Sequence, residues 1–223
     1  MNFTTVLCAA AMATTATFGT AHAADDIESP AFEAVTVDQG VELRRYAPMI
    51  AAEVRVAASD LDAAGSMGFM PLANYIFGSN RPGEKIEMTA PVTRAPVTEP
   101  GGLRGGDGEK IAMTAPVTTA PIKDGLYTVQ FMMPSKWTME TLPAPVDDRV
   151  SLQQVPERYV VVAGFTGPKE MASIDAAERR IDAFVASNGY QPTGSFTLAG
   201  YSAPNVPDPQ KKWEVHLEVA APE

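Results

Sequence analysis

Glu84-Lys-Ile-Glu-Met-Thr-Ala-Pro-Val-Thr-Arg-Ala-Pro96 is followed, after a glycine-rich stretch, by Glu109-Lys-Ile-Ala-Met-Thr-Ala-Pro-Val-Thr-Thr-Ala-Pro121, and eleven of the thirteen aligned positions are identical. An ordered mixture of charge, β-branched residues, methionine and proline kept in this way marks a repeated structural unit. In the first copy Ile86, Met88, Ala90 and Val92 alternate with Glu87, Thr89, Pro91 and Thr93; the second places Ile111, Met113, Ala115 and Val117 on the corresponding side. Period two with β-branched residues predicts a half-buried strand. Proline has no N–H to give a ladder, so Pro91 and Pro116 must lie at an edge, a bulge or an end. The intervening Glu99-Pro-Gly-Gly-Leu-Arg-Gly-Gly-Asp-Gly108 has loop composition, which predicts that the two copies form an antiparallel pair. No side chain in the repeat is a good nucleophile or base, so it reads as scaffold, with Met88 and Met113 expected in the core.

Working outward, residues 1–23 have the pattern of an export signal: an apolar, alanine-rich stretch, the small-x-small Ala21-His22-Ala23, then acidic Asp25-Asp26. The apolar run is too short and too interrupted by threonine to span a bilayer. Residues 24–223 are then expected to be one domain of an exported, periplasmic protein, with no stable membrane insertion. The single cysteine, Cys8, lies in the signal-like segment, so the mature chain has no disulfide, no thiolate nucleophile and no Cys-based metal site. The net charge of −10 belongs wholly to that chain and argues against nucleic acid as a partner.

The pattern predicts strands over 35–46 and 49–56, a helix capped by Ser59 and running to Phe77, the repeat strands, and further strands over 127–133, 150–155 and 159–165. A second helix over 169–187 shows apolar Met171, Ile174, Ile181, Phe184 and Val185 at helical spacing and stops at Asn188-Gly189. Strands over 195–201 and 213–219 close the chain. Strands, helix and strands occur twice, which predicts an α+β fold with a curved or barrel-like antiparallel sheet and two related halves.

The first helix has two apolar faces. Leu61, Ala64, Gly68, Leu72, Tyr75 and Ile76 fall on one arc, and Met67, Met70 and Phe77 on the opposite side, where charge would be expected. Such a face implies a ligand groove, a partner or a covering loop, unless a kink at Gly65, Gly68 or Pro71 turns it into the core. Arg44 and Arg45 alternate, so one points to the inner side of the sheet, where a buried ion pair is its expected role. His216, the one histidine after the signal, shares the polar face of the last strand with Glu214 and Glu218, which predicts an exposed imidazole. No catalytic constellation and no metal site emerges from the motifs.

Val41-Glu-Leu-Arg-Arg-Tyr46, Tyr75-Ile-Phe-Gly78 followed by Asn80, both Met-Thr-Ala-Pro-Val-Thr copies and Leu142-Pro-Ala-Pro145 together resemble the SOUL family of haem-binding proteins, over nearly all of the chain from Phe32 onward. The resemblance implies a distorted antiparallel β-barrel flanked by two α-helices, built from two pseudo-symmetric halves, that binds haem or a related tetrapyrrole non-covalently. It places the ligand against the first helix and the loop between the last two strands, here residues 59–77 and 201–212. The expected contacts are thus Met67, Met70, Phe77 and Tyr201, with Lys211 and Lys212 as cations for the propionates and His216 as a possible axial ligand. The Pro-rich segment 203–209 and Trp213 depart from the family pattern. The resulting expectation is an exported binding protein for storage, transport or buffering; a tetrapyrrole-modifying enzyme or a protein-interaction module using the same apolar face are the alternatives.

Overall fold

A computed structural model of the chain describes residues 27–82, 106–123, 125–203 and 205–222. The strand expected over 35–46 is a hairpin, β1 (Phe32–Asp38) and β2 (Val41–Tyr46), because Gln39 and Gly40 both adopt left-handed backbone, with φ of 48° and 73°. Two positive-φ residues make the tight turn whose twist suits a two-residue β-hairpin. After β3 (Met49–Ala57), α1 (Leu61–Ile76) is capped by Asp60, one residue later than expected: its Oδ1 accepts from Ala63 N at 2.9 Å, and Ser59 Oγ donates to Asp60 Oδ2 at 2.8 Å.

The chain continues through β4 (Asn80–Arg81), β5 (Val117–Lys123), β6 (Leu126–Met132), β7 (Ala144–Pro145), β8 (Ser151–Val155) and β9 (Arg158–Thr166), then α2 (Met171–Asn188), β10 (Thr197–Gly200) and β11 (Lys212–Val219). Gly189, with φ of 73°, ends α2 as its sequence predicted, although Met171 at the first position is exposed rather than core. The first repeat copy lies outside the described residues, Met88 included. The second becomes ladder only at Val117, directly after Pro116. Its strand β5 has β6 on one side and β10 on the other, so Val117–Thr119 of the second copy are not paired with the first. Ile111 is buried nonetheless, and Met113 and Val117 are half-buried against the same core.

Nine of the described strands form one antiparallel sheet in the order β1-β2-β9-β11-β10-β5-β6-β3-β8, curled into a distorted half-barrel. Apart from the edge strand β1, the order is symmetric about the β10–β5 junction. One half is β2-β3-α1-β5-β6 and the other β8-β9-α2-β10-β11, with β2 pairing with β9 and β8 with β3 across the halves. Paired residues share a face, and the register puts Leu43, Val161, Leu217, Leu198, Val129 and Val54 together on the side where both helices pack. There α1 lies on β3, β5 and β6, and α2 on β9 and β11. Each fully buried leucine or isoleucine, such as Leu72, Ile76 and Ile181, contributes about 1.5–3 kcal/mol. Among the described residues no helix is long and apolar enough to cross a membrane.

The motif residues after α1 serve as a clasp. Tyr75 Oη donates to Pro143 O at 2.8 Å, and Asn80 Nδ2 donates to Tyr75 O at 2.9 Å and Glu109 O at 2.7 Å. The backbone pairing of Asn80 with Pro145 completes the link between the Tyr-Ile-Phe-Gly helix end and Leu142-Pro-Ala-Pro145. Gly78 has φ of 106°, and a Cβ there would come within 2.7 Å of Gly106 O, so both backbone and space require glycine.

The seat of α1 is equally tight at Gly68, where a Cβ would come within 2.5 Å of Val129 Cγ2, whereas at Gly65 the nearest atom would be Thr119 Oγ1 at 3.6 Å. Gly68→Ala is expected to lower unfolding free energy by about 1–3 kcal/mol, since Val129 is branched and buried and cannot yield. Gly65→Ala should instead raise it by up to about 1 kcal/mol through helix propensity. Urea unfolding of the two variants checks the contrast.

Candidate functional site

The face opposite the helices, the inner face, is built around a buried charge cluster. Arg44 is 9 % exposed and grips Glu214 with two nitrogens: Nη1 donates to Oε2 and Nη2 to Oε1, both at 3.0 Å. Its Nε donates to Glu42 Oε2 at 2.7 Å and its Nη1 to Tyr46 Oη at 3.1 Å. The guanidinium carbon lies 4.3 Å from the centroid of the Phe32 ring, so an aromatic face covers the charge. This is the buried ion pair expected of one of the two arginines. Arg45 points the other way and pairs with Glu33 at 2.6 Å.

His216 joins the same cluster, and its expected exposure is wrong. It is 7 % exposed, its Nε2 lies 2.9 Å from Glu214 Oε2, and its ring centroid is 6.2 Å from that of Tyr46. Alternation put it on the correct side of β11, but that side is covered by Tyr46, Val160 and Val162 with Phe32 and Met49 packed against them. Burial pushes the imidazole pKa below its ordinary value, against the pull of Glu214. For Glu214 burial works the other way, and the hydrogen bond from His216 and the charge of Arg44 outweigh it, holding the carboxyl at about 2. Tyr46 and Tyr201 are both pushed up by burial and remain neutral phenols.

Above this cluster opens a cavity of about 560 Å³, whose lining includes Phe32, Tyr46, Gly164, Tyr201, Lys212 and Trp213, together with Arg44 and Glu214. The residues expected to form one site therefore fall in two places. Tyr201 and Lys212 line the inner-face cavity, and His216 lies beneath it without lining it. Lys211 is committed to Asp208, Nζ to Oδ1 2.7 Å, whereas Lys212 has no ion pair among the described residues. Met67, at 54 % exposure, Phe77, at 37 %, and half-buried Met70 lie on the side of α1 away from the sheet. No kink turns them inward: Pro71 and Gly68 face the sheet and are buried.

The first turn of α1 and the last inter-strand loop do share one end of the molecule. Asp62 in the first turn of α1 pairs with Lys169, and nearby Gly167 N donates to Lys211 O at 2.9 Å. Phe32, Arg44, Tyr46, Gly164 and Glu214 are site residues that motif reading did not assign to a ligand. The one sequence signal for the cavity was a glycine inside an otherwise valine-rich strand.

Residues 27–218 match the family described as SOUL heme-binding protein. The chain belongs to that family. It is 30 % identical over 150 residues to the human protein named heme-binding protein 2, covering 65 % of this chain; the chain spans about 63 % of that relative's length. As a fold, it is similar to the EcmrR C-terminal domain, with a TM-score of 0.51, 16 % identity and coverage of 81 % of this chain and 96 % of that one. It is also similar to EcmrR in its complex with DNA, with a TM-score of 0.52, 14 % identity, and 80 % and 56 % coverage. At these identities the likeness concerns architecture alone. In this SOUL chain, then, the motif residues Tyr75, Asn80 and Leu142-Pro-Ala-Pro145 hold the scaffold, while the two candidate ligand surfaces lie elsewhere.

The cluster sets the acid stability of the fold. Glu214 has a folded pKa below its ordinary 4.5, so its contribution is present above that value and is lost as pH falls toward 2. His216 has a folded pKa below its ordinary 6.5, so the unfolded chain takes up the proton first and stability also declines as pH falls below that value. Unfolding free energy is expected to fall in these two stages, with the upper one missing in His216→Gln. Arg44→Met, which strands the Glu214 charge, should cost about 3–5 kcal/mol at pH 7, and Arg44→Met with Glu214→Leu clearly less. Denaturant titrations between pH 2 and 8 measure all of these.

Proposed function

We propose that this protein binds haem or a related tetrapyrrole non-covalently, in a groove formed by the outer face of α1 and the loop between β10 and β11. It acts by holding its ligand, for storage, transport or buffering, in the periplasm after export directed by residues 1–23, with residues 24–223 as a single binding domain. The observation that carries this reading is membership of the SOUL family over residues 27–218. The name of its human relative points the same way.

The residues present suit a flat apolar ligand with acidic side arms. Met67, Met70 and Phe77 recur along one side of α1, and methionine adapts its shape to such a surface. Lys212 offers a cation without an ion pair among the described residues, whereas Lys211 is held by Asp208. Bound haem would bring an iron of its own, and the described residues offer it no free imidazole: His216 is buried and engaged by Glu214. Retention then rests on apolar contact and on the propionates rather than on an imidazole bond.

Titration of the protein with hemin is expected to give a saturable Soret change near one equivalent. Met67→Glu with Met70→Glu should weaken binding by about tenfold or more, a loss of about 1.4 kcal/mol or greater. His216→Gln should leave the position of the Soret band unchanged. Non-saturable spectra, or indifference to charge at Met67 and Met70, would refute the groove.

A further inference from the structure

Gly164 stands inside β9 on the inner face, paired with Glu214, and neither backbone nor packing demands a glycine there. Its φ lies outside the left-handed region, and a Cβ would meet nothing nearer than Trp213 O at 3.7 Å and Glu214 Cγ at 3.9 Å. A glycine in a strand interior weakens the strand, and where packing does not call for it, close approach of a ligand is a standing reason for it. The space it leaves open is the inner-face cavity, whose volume of about 560 Å³ falls in the range of small-molecule sites.

The lining of the cavity specifies a ligand class. Its walls are aromatic, with Phe32, Tyr46 and Tyr201. Its buried floor is pre-organised, because Glu214, Arg44 and His216 are fixed by hydrogen bonds of 2.9–3.0 Å. Both oxygens of Glu214 are already taken by those partners, so a cationic ligand would find no free carboxylate. Among the charged lining groups Arg44 and Lys212 outnumber Glu214, in a protein whose net charge is −10. Lys212 stands exposed at the start of β11, with no ion pair among the described residues.

We infer that the inner-face cavity is a second ligand site, which takes a flat aromatic molecule carrying one anionic group. The ring lies over Gly164 among Phe32, Tyr46 and Tyr201, and the anionic group meets Lys212. The inference shares Tyr201 and Lys212 with the tetrapyrrole reading but none of its contacts on α1, because Met67, Met70 and Phe77 lie beyond the opposite face of the sheet and do not line the cavity.

The probe is 8-anilinonaphthalene-1-sulfonate, an aromatic anion whose fluorescence rises in apolar surroundings, titrated into the full chain. One saturable site is expected, weakened about tenfold or more by Gly164→Val with unchanged circular dichroism. Lys212→Glu should weaken it by about three- to tenfold and flatten its dependence on salt. Met67→Glu with Met70→Glu should leave it unchanged. Non-saturable binding, indifference to both Gly164→Val and Lys212→Glu, or loss in the methionine variant would overturn the inference. Hemin titrated into the same variants separates the two sites. Hemin lost in Gly164→Val and competing with the probe would make the cavity the tetrapyrrole seat and end the claim of a second site. Probe binding as expected, with no saturable hemin binding to the unaltered chain, would refute the tetrapyrrole reading alone.

Discussion

A guanidinium held against a carboxylate, away from water, governs the inner half of this molecule. Arg44 on β2 reaches diagonally across β9 to Glu214 on β11, and so couples a strand of one half to a strand of the other. Two such charges are tolerated out of water only when their hydrogen bonds are nearly all made, which accounts for Glu42, Tyr46 and His216 around them. Their geometry fixes the floor of the cavity. It also keeps the buried imidazole of His216 occupied, which removes that group from the set a ligand could reach.

The sheet divides the labour between its faces. On the outer face, valines and leucines from both halves meet two helices and supply most of the burial. On the inner face, a row of paired residues runs from Gly164 and Glu214 through Ala199, Thr118 and Gln130 to Glu53. Gln130 Nε2 donates to Glu53 Oε2 at 2.9 Å, so the far end of this row is closed within itself, while the Gly164 end is open. Apolar exposure on α1 and an aromatic cavity below β9 and β11 are thus separated by the thickness of the sheet. The two sites share Tyr201 and Lys212 but no contact on α1.

Much of this architecture is legible in the chain. Strict alternation over Trp213 to Val219 assigns every side chain of β11 to its observed face, and the arc of α1 yields both its buried side and its exposed Met67 and Phe77. Periodicity fails where its phase survives a turn, and the hairpin at Gln39-Gly40 is invisible in a pattern that simply continues on either side. It also says nothing about what covers a face. His216 sits on the polar side of its strand as expected, yet Tyr46, Phe32 and the partners of Glu214 bury it. The repeat teaches a related lesson: the alternation of the second copy runs from Ile111, yet its ladder begins only at Val117, where β6 and β10 are both at hand to pair. The candidate site is the least legible part, because residues near in sequence, such as Lys211 and Lys212, are set apart by a single local ion pair.

Hydrogen–deuterium exchange of the protein with and without hemin tests the placement of the tetrapyrrole most directly. Binding in the proposed groove should slow exchange in α1, Leu61–Ile76, and in the loop between β10 and β11, and leave β1 and β2 unchanged. Protection confined to β1, β2 and the segment around residues 27–30, with α1 unaffected, would contradict it and move the ligand to the inner face.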